Sequence, residues 1–235
     1  MQFLYETHAH TSEVSRCGRV RAQTVVENYI RAGYSGIVIT DHFNRDTFRD
    51  LADAPWREKI AYFLHGYRTA KETAAALDAS FTVLLGLELR LETVDNDDFL
   101  IFGADESFLL QSEGLCGLSF ADMAQHIHDN GLLLVQAHPF RRHMSIVDWR
   151  LLDGIEVYNG NPNHESNNPV ADLWAHRHHL LKTSGSDYHG QWGEHLGGIA
   201  TTEPIRDNAH LLEILKNGQY TLSYREAWSK FETNT

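Results

Sequence analysis

The chain carries 15 histidines in 235 residues, and several stand two apart or beside a carboxylate. His8 and His10 form an HxH pair in "YETHAHTSEVSRCG". Asp41 precedes His42, His138 precedes Pro139, and Asp187 and His189 form a DxH pair. Glu88 lies inside the apolar run "VLLGLEL", and Asp97 and Asp98 open "DDFLIFG". Imidazole with carboxylate is a donor set for zinc, manganese or iron, and a poor one for calcium. A carboxylate shared between two ions is the arrangement that two-metal hydrolytic sites require. A lone histidine at a strand end is ordinarily a satisfied polar residue. The joint occurrence of HxH, DH, a strand-borne Glu, HP and DxH, each behind its own apolar run, points to metal binding.

These groups need elements to bring them together. Short apolar runs over 3–5, 36–40, 81–91, 99–103, 132–137, 154–158 and 180–184 read as buried strands, several of them rich in β-branched residues. Helical patterns over 22–33, 57–79, 119–130 and 169–179 lie between most of them, with Gly33 and Gly131 as stop signals. "SFADMAQHI" opens on Ser119 with Asp122 three residues on, a capping box with Asp in place of Glu. The stretch 201–220 reads as a loop, one more helix and a Gly cap, and 42–56 is the least regular. Seven alternations of strand and helix predict an α/β fold with a largely parallel sheet. In parallel α/β barrels functional groups gather at the carboxyl ends of the strands, and alternate strand positions face the same way. His8 and His10 can therefore address one cavity. Six of the seven runs deliver a His, Asp or Glu at or just past their ends, and the fourth places its carboxylates at its start.

Composition narrows the partners. The formal net charge of −12 argues against broad non-specific binding of long nucleic acid. Cys17 and Cys116 are far apart and form no CxxC, which fits a reducing compartment rather than a disulfide framework. No basic-then-apolar leader and no run of about 20 apolar residues is present, so a cytoplasmic protein with no membrane partner is expected.

The motifs "THAHTS", "ITDHF", "GLELR", "QAHPF" and "SGSDYHG", in this order, resemble those of the polymerase and histidinol phosphatase (PHP) superfamily. The resemblance implies a distorted, TIM-barrel-like (β/α)7 barrel with a metal cluster at the carboxyl ends of its strands, and 1–235 is read as a single domain of that type. It implies that His8, His10, Glu88 and Asp187 hold a first metal. Glu88 would bridge to a second, shared with His138, and His42 and His189 would hold a third. Two or three divalent ions (Zn, Mn or Fe) are expected. The sequence departs from the family pattern twice. Where many members place His or Asp five or six residues after HxH, this chain has Ser15 and Arg16. Glu13 is then the expected substitute ligand, ahead of Cys17, because a carboxylate suits the expected ions. In the fourth strand, where relatives often place His, Asp98 stands and is the expected ligand.

Function follows as an expectation. A metal-activated hydroxide would hydrolyse a small phosphate ester, either a phosphorylated metabolite or a short nucleotide. Arg141, behind the HP pair, would clamp the phosphate through its fork, with Arg16 and Arg19 weaker candidates. No GxSxG or Cys-loop nucleophile is present. The same ligands would also serve a metal-dependent amide or ester hydrolase, and a catalytically silent binding module of the same fold is the third reading. His65, His126 and His128 are read as ordinary helix-face residues. His176, His178 and His179 crowd a helix end, where their charge suits the dipole. His195 trails DxH closely enough to line the cavity. Glu156, although strand-borne, is not expected to ligate.

Overall fold

The computed structural model describes residues 2–94, 96–190 and 196–224. Strand β1 (Phe3–Ala9) is followed by helix α1 (Ala22–Arg31), β2 (Gly36–Ile39) and the two-residue β3 (His42–Phe43). Helix α2 (Trp56–Leu77), β4 (Thr82–Arg90), β5 (Asp98–Phe102), α3 (Glu106–Gln111), α4 (Phe120–Asp129) and β6 (Leu133–Gln136) come next. The described chain ends with β7 (Gly154–Asn159), α5 (Asn168–His178), β8 (Leu181–Gly185), β9 (Gly197–Thr201), α6 (Asn208–Lys216) and β10 (Thr221–Tyr224). The strands join in the order β10-β9-β1-β2-β4-β5-β6-β7-β8, with β3 paired to β4, and the sheet curls into a nearly closed barrel.

The expected distorted barrel is present, with a correction to its strand directions. β1–β2, β2–β4, β6–β7 and β7–β8 are parallel, but β5 runs antiparallel to both β4 and β6. The short hairpin after β4 reverses the chain, so no crossover helix intervenes. This reversal explains a feature of the sequence. The start of β5 lies beside the end of β4, with Asp98 opposite Arg90, so carboxylates at a strand's start reach the same end of the barrel as groups at the other strands' ends. β3, β9 and β10 were not evident as strands, being short or glycine-containing.

Strand alternation sorts the interior from the shell. Leu84 of β4 and Leu100 of β5 pack with Tyr5, Val38 and Val135 on the inside. Leu85, Leu87, Leu89, Phe99 and Ile101 pack outward under the helices. Leu211, Ile214 and Leu215 of α6 join the inside cluster and plug the barrel's lower end. Glu88 and Asp98, in phase with Leu84 and Leu100, therefore face inward at the upper end. β1 needs one irregularity to do the same. Its register slips by one residue between Glu6 and Ala9. Such a bulge changes the face a strand presents, so Tyr5 and His8, three apart, both turn inward.

The seam between β8 and β1–β9 closes through single bonds instead of a ladder. Tyr188 N donates to His8 O (3.2 Å), His10 N donates to Tyr188 O (3.0 Å) and Gly197 N donates to Ser186 Oγ (2.8 Å). Glycine permits this approach: a Cβ on Gly185 would lie 2.4 Å from His8 Cβ, and one on Gly197 would lie 2.5 Å from the Gly185 backbone.

Candidate metal centre

At the upper mouth the strands deliver a dense group of imidazoles and carboxylates. Glu88, fully buried, stands at the centre. Its Oε1 lies 3.2 Å from His8 Nε2 and 3.1 Å from His138 Nε2, and its Oε2 lies 2.8 Å from His42 Nδ1 and 3.4 Å from His10 Nε2. Asp187 Oδ1 lies 3.5 Å from His8 Nε2, 3.3 Å from His10 Nε2 and 3.2 Å from His189 Nδ1. Seven predicted ligands, His8, His10, His42, Glu88, His138, Asp187 and His189, thus converge. Donor atoms of His8, His10 and Glu88, of His8, His138 and Asp187, of His42, Glu88 and Asp98, and of His10, His42 and His189 form groups close enough to share an ion.

These residues fit divalent metal by the state of their buried atoms. His8 Nε2, His10 Nε2, Glu88 Oε2 and Asp187 Oδ1 are buried, point at one another and have no hydrogen-bond partner. Orphaned buried polar atoms cost on the order of 1–3 kcal/mol each, and a shared cation removes that cost. Burial acts to lower the pKa of His8, but Glu156, Glu88 and Asp187 hold it well above its ordinary value. Burial, followed by His189 and His42, drives His10 well below its ordinary value. Against the opposing effect of burial, His42 and His8 hold Glu88 well below the usual carboxylate range, and His8, His10 and His189 do the same for Asp187. Strain marks the same place: His138 and Asp187 have φ of 31° and 48°, positive values uncommon outside glycine.

A supporting layer fixes the imidazoles. Glu156 Oε1 accepts from His8 Nδ1 (2.8 Å), and its Oε2 accepts from His138 N (3.0 Å). A carboxylate behind a ligating histidine sets its tautomer and raises its basicity. Ile155 and Val157 pack outward while Glu156 faces in, and that alternation was the signal that could have identified it. Ser15 Oγ contacts His10 Nδ1 (3.1 Å) and donates to Asp41 Oδ1 (2.7 Å), which also accepts from Thr11 N (2.7 Å). Ser15, a poor ligand, orients one.

The two departures resolve differently. Glu13 is not brought to the cluster: its Oε2 accepts from Ala22 N (2.9 Å) at the start of α1, where Arg21 offers no side-chain cap. Asp98 does reach the mouth, 4.0 Å from His138 Nε2, and is also held by Arg90 through two bonds of 2.7 and 2.5 Å. Cys17 lines the cavity, with Sγ 3.1 Å from His189 Nε2. Burial acts to raise the thiol's pKa, but His189 and His42 bring it down to about 6.

The cavity above the cluster measures about 960 Å³ and is lined by Arg19, Arg90, Arg141 and Arg142 among others. Arg141 reaches it, but Nη2 donates to Asp187 Oδ2 (2.6 Å) and Asn159 Oδ1 (2.7 Å), so the residue also braces a candidate ligand. Arg16 points elsewhere, to Asp46 O (2.9 Å) and Asp50. His178 packs at a tilt between Trp149 and Trp174, His128 pairs with Asp153, and His126 contacts Ser112. His195 lies outside the described residues.

Residues 6–232 match the family model of the PHP domain, and the chain belongs to that family. A two-domain protein of Bacteroides vulgatus, containing a predicted PHP-like metal-dependent phosphoesterase, shares the fold with a TM-score of 0.69 and 20% identity. That alignment covers 96% of this chain and 65% of the other. The lesion-specific endonuclease EndoQ of Pyrococcus furiosus aligns at TM-score 0.62 and 14% identity, over 94% of this chain and 58% of its own. An amidohydrolase of Chromobacterium violaceum, solved with sulfate and without metal, aligns at TM-score 0.55 and 19% identity, over 96% and 99%. No curated protein matches in sequence. Among the described residues no helix is long and apolar enough to cross a membrane.

Proposed function

We propose that this chain, as one barrel domain over 1–235, is a metal-dependent phosphoesterase acting on a small phosphate ester such as a phosphorylated metabolite or short nucleotide. The observation that carries this reading is the convergence of four buried donor atoms that make no hydrogen bond, on His8, His10, Glu88 and Asp187, beneath an arginine-lined cavity. Two or three divalent ions there would supply Lewis acidity and bring the pKa of coordinated water toward neutrality. His8, His10, Glu88 and Asp187 would hold the first, Glu88 and His138 the second with Asp98 alongside, and His42 and His189 the third. Glu156 and Ser15 keep the lone pairs of His8 and His10 aimed inward. Guanidinium groups at the rim suit the charge and planarity of phosphate oxygens. An acidic chain with this rim favours a compact anion over an extended polyanion.

The test is elemental analysis of protein purified without chelator or nickel, followed by chelation, restoration with Zn, Mn or Fe, and a panel of phosphate and carboxylic esters. Two to three metal equivalents with phosphate-ester turnover support the reading. Faster turnover of amides or carboxylic esters would replace it with the amide/ester hydrolase reading. Full metal occupancy with no turnover would make the chain a silent binding module. Arg141→Ala should raise KM for phosphate esters well above any change for carboxylic esters. Equal effects on both would remove the clamp role and leave Arg141 only its hold on Asp187.

A further inference from the structure

The segment after HxH lacks the His or Asp expected there, and Glu13 faces the start of α1 instead. A different donor occupies the vacant side of the centre. Cys17 lines the mouth of the cavity, its Sγ 3.1 Å from His189 Nε2. The other ring nitrogen, His189 Nδ1, lies 2.9 Å from the Asp187 carbonyl oxygen, which can only accept a hydrogen bond. Nδ1 therefore carries the proton, and the lone pair of neutral His189 is on Nε2, the atom that meets sulfur. His10 borders this side from the first metal position. It is 1% exposed, its Nδ1 is taken by Ser15, and its Nε2 is buried without a partner. A His10 donor atom lies in one close group with donors of His42 and His189. Donor atoms of the three imidazoles lie within 4.8 Å of one another, and a thiol stands against one of them.

The geometry points to Cys17 as a thiolate ligand, completing with His42 and His189 a mixed nitrogen–sulfur metal site on the His10 side of the centre. The inference rests on the metal-centre reading above and goes further, assigning a donor and a metal preference. On binding, a sulfur lone pair forms the metal–sulfur bond, and any proton still on the thiol passes to solvent. A soft donor in place of a carboxylate biases this position toward zinc, cobalt or ferrous iron and away from magnesium or manganese.

Cobalt(II) titration of the chelated full chain tests this by optical spectroscopy. Thiolate–cobalt bonds give an intense near-ultraviolet charge-transfer band that nitrogen and oxygen donors do not produce, while weaker visible bands report cobalt bound by any donor. The wild type should show both. C17S and C17D should retain visible bands and lose the ultraviolet band. C116S should keep both, since Cys116 is partly buried elsewhere, its Sγ 3.6 Å from Phe43 O. C17D should also bind manganese more tightly relative to zinc than the wild type does. Visible bands without the ultraviolet band in the wild type would overturn the Cys17 assignment alone. An ultraviolet band surviving in C17S would overturn it too. Absence of every cobalt band would overturn the metal-centre reading along with it.

Discussion

Glu156 shows how much of the candidate metal centre lies one bond behind the residues that would ligate. It has no place in the predicted ligand set, yet it is 1% exposed and its two oxygens serve His8 Nδ1 and His138 N. Glu156→Gln keeps a side chain of the same shape and removes the charge behind His8. Metal affinity should fall about 10–100-fold, the usual effect of losing such a partner. Isothermal titration with zinc checks this, and unchanged affinity would mean that His8 is held by packing alone. The clustered residues themselves were legible because each sits within or just past an apolar run as a group that costs energy to bury. The supporting residues were less so. Ser15 looks inert until folding places Asp41 and His10 on either side of it. Glu13 is expected to ligate ahead of Cys17, but local geometry sends its carboxylate to the backbone of Ala22. Residue type states what a side chain can do, and the loop's path decides which one arrives.

Elements decide that path, and two of them make checkable claims. Seven of the ten strands were legible from their apolar runs, whereas the reversal of β5 was not, because alternation carries no direction. Helix α2 packs Gly66 directly onto the support of His10: a Cβ there would sit 2.1 Å from Thr11 Oγ1 and 2.7 Å from Asp41 Oδ2. Gly66→Ala should therefore destabilise the fold by about 1–3 kcal/mol through overpacking. It should also weaken metal binding, whereas an equally destabilising change under α5 should not. Parallel melting and zinc titrations separate the two. Strand β1 poses a second contest. Glu6 is fully buried and accepts from Thr7 N, His8 N, Ser186 N and Tyr29 OH, tying β1 to α1 and to the end of β8. Burial outweighs these donors and pushes its carboxyl from 4.5 up to about 7. The folded state then binds more protons than the unfolded state between those values. The associated stability is complete below pH 4.5 and is lost as pH rises through 7. Against Glu6→Gln, which does not titrate, the wild type should lose about 3 kcal/mol across that window. Denaturant melts of metal-free protein at stepped pH measure the difference. A wild type that gains stability relative to the variant would show that the donors win.

At the scale of the molecule, the candidate centre joins parts of the chain from both sides of the barrel's seam. Its candidate ligands come from β1, β3, β4, β5 and the segments after β6 and β8, so they span the barrel from one side of its seam to the other. Among the described residues the seam has no continuous ladder and closes through bonds such as Tyr188 N to His8 O (3.2 Å) and Gly197 N to Ser186 Oγ (2.8 Å). His8 and Asp187 stand on opposite sides of it, 3.5 Å apart at Nε2 and Oδ1. A cation between them would do what the missing hydrogen bonds do elsewhere, and would bind the folded barrel alone, because the unfolded chain scatters its donors. At free metal about 100 times Kd this linkage contributes about 2.7 kcal/mol. For a chain of this length that corresponds to a fall in Tm of about 5–10 °C on chelation, reversed by adding metal back. The fall should shrink in a His8→Ala variant, which has less metal to lose. Scanning calorimetry on matched samples, with metal content measured on each, decides it. If stripped and loaded protein melted together, the barrel would close without its ions. The orphaned donors of His8 and Asp187 would then be stabilised by their mutual charges alone.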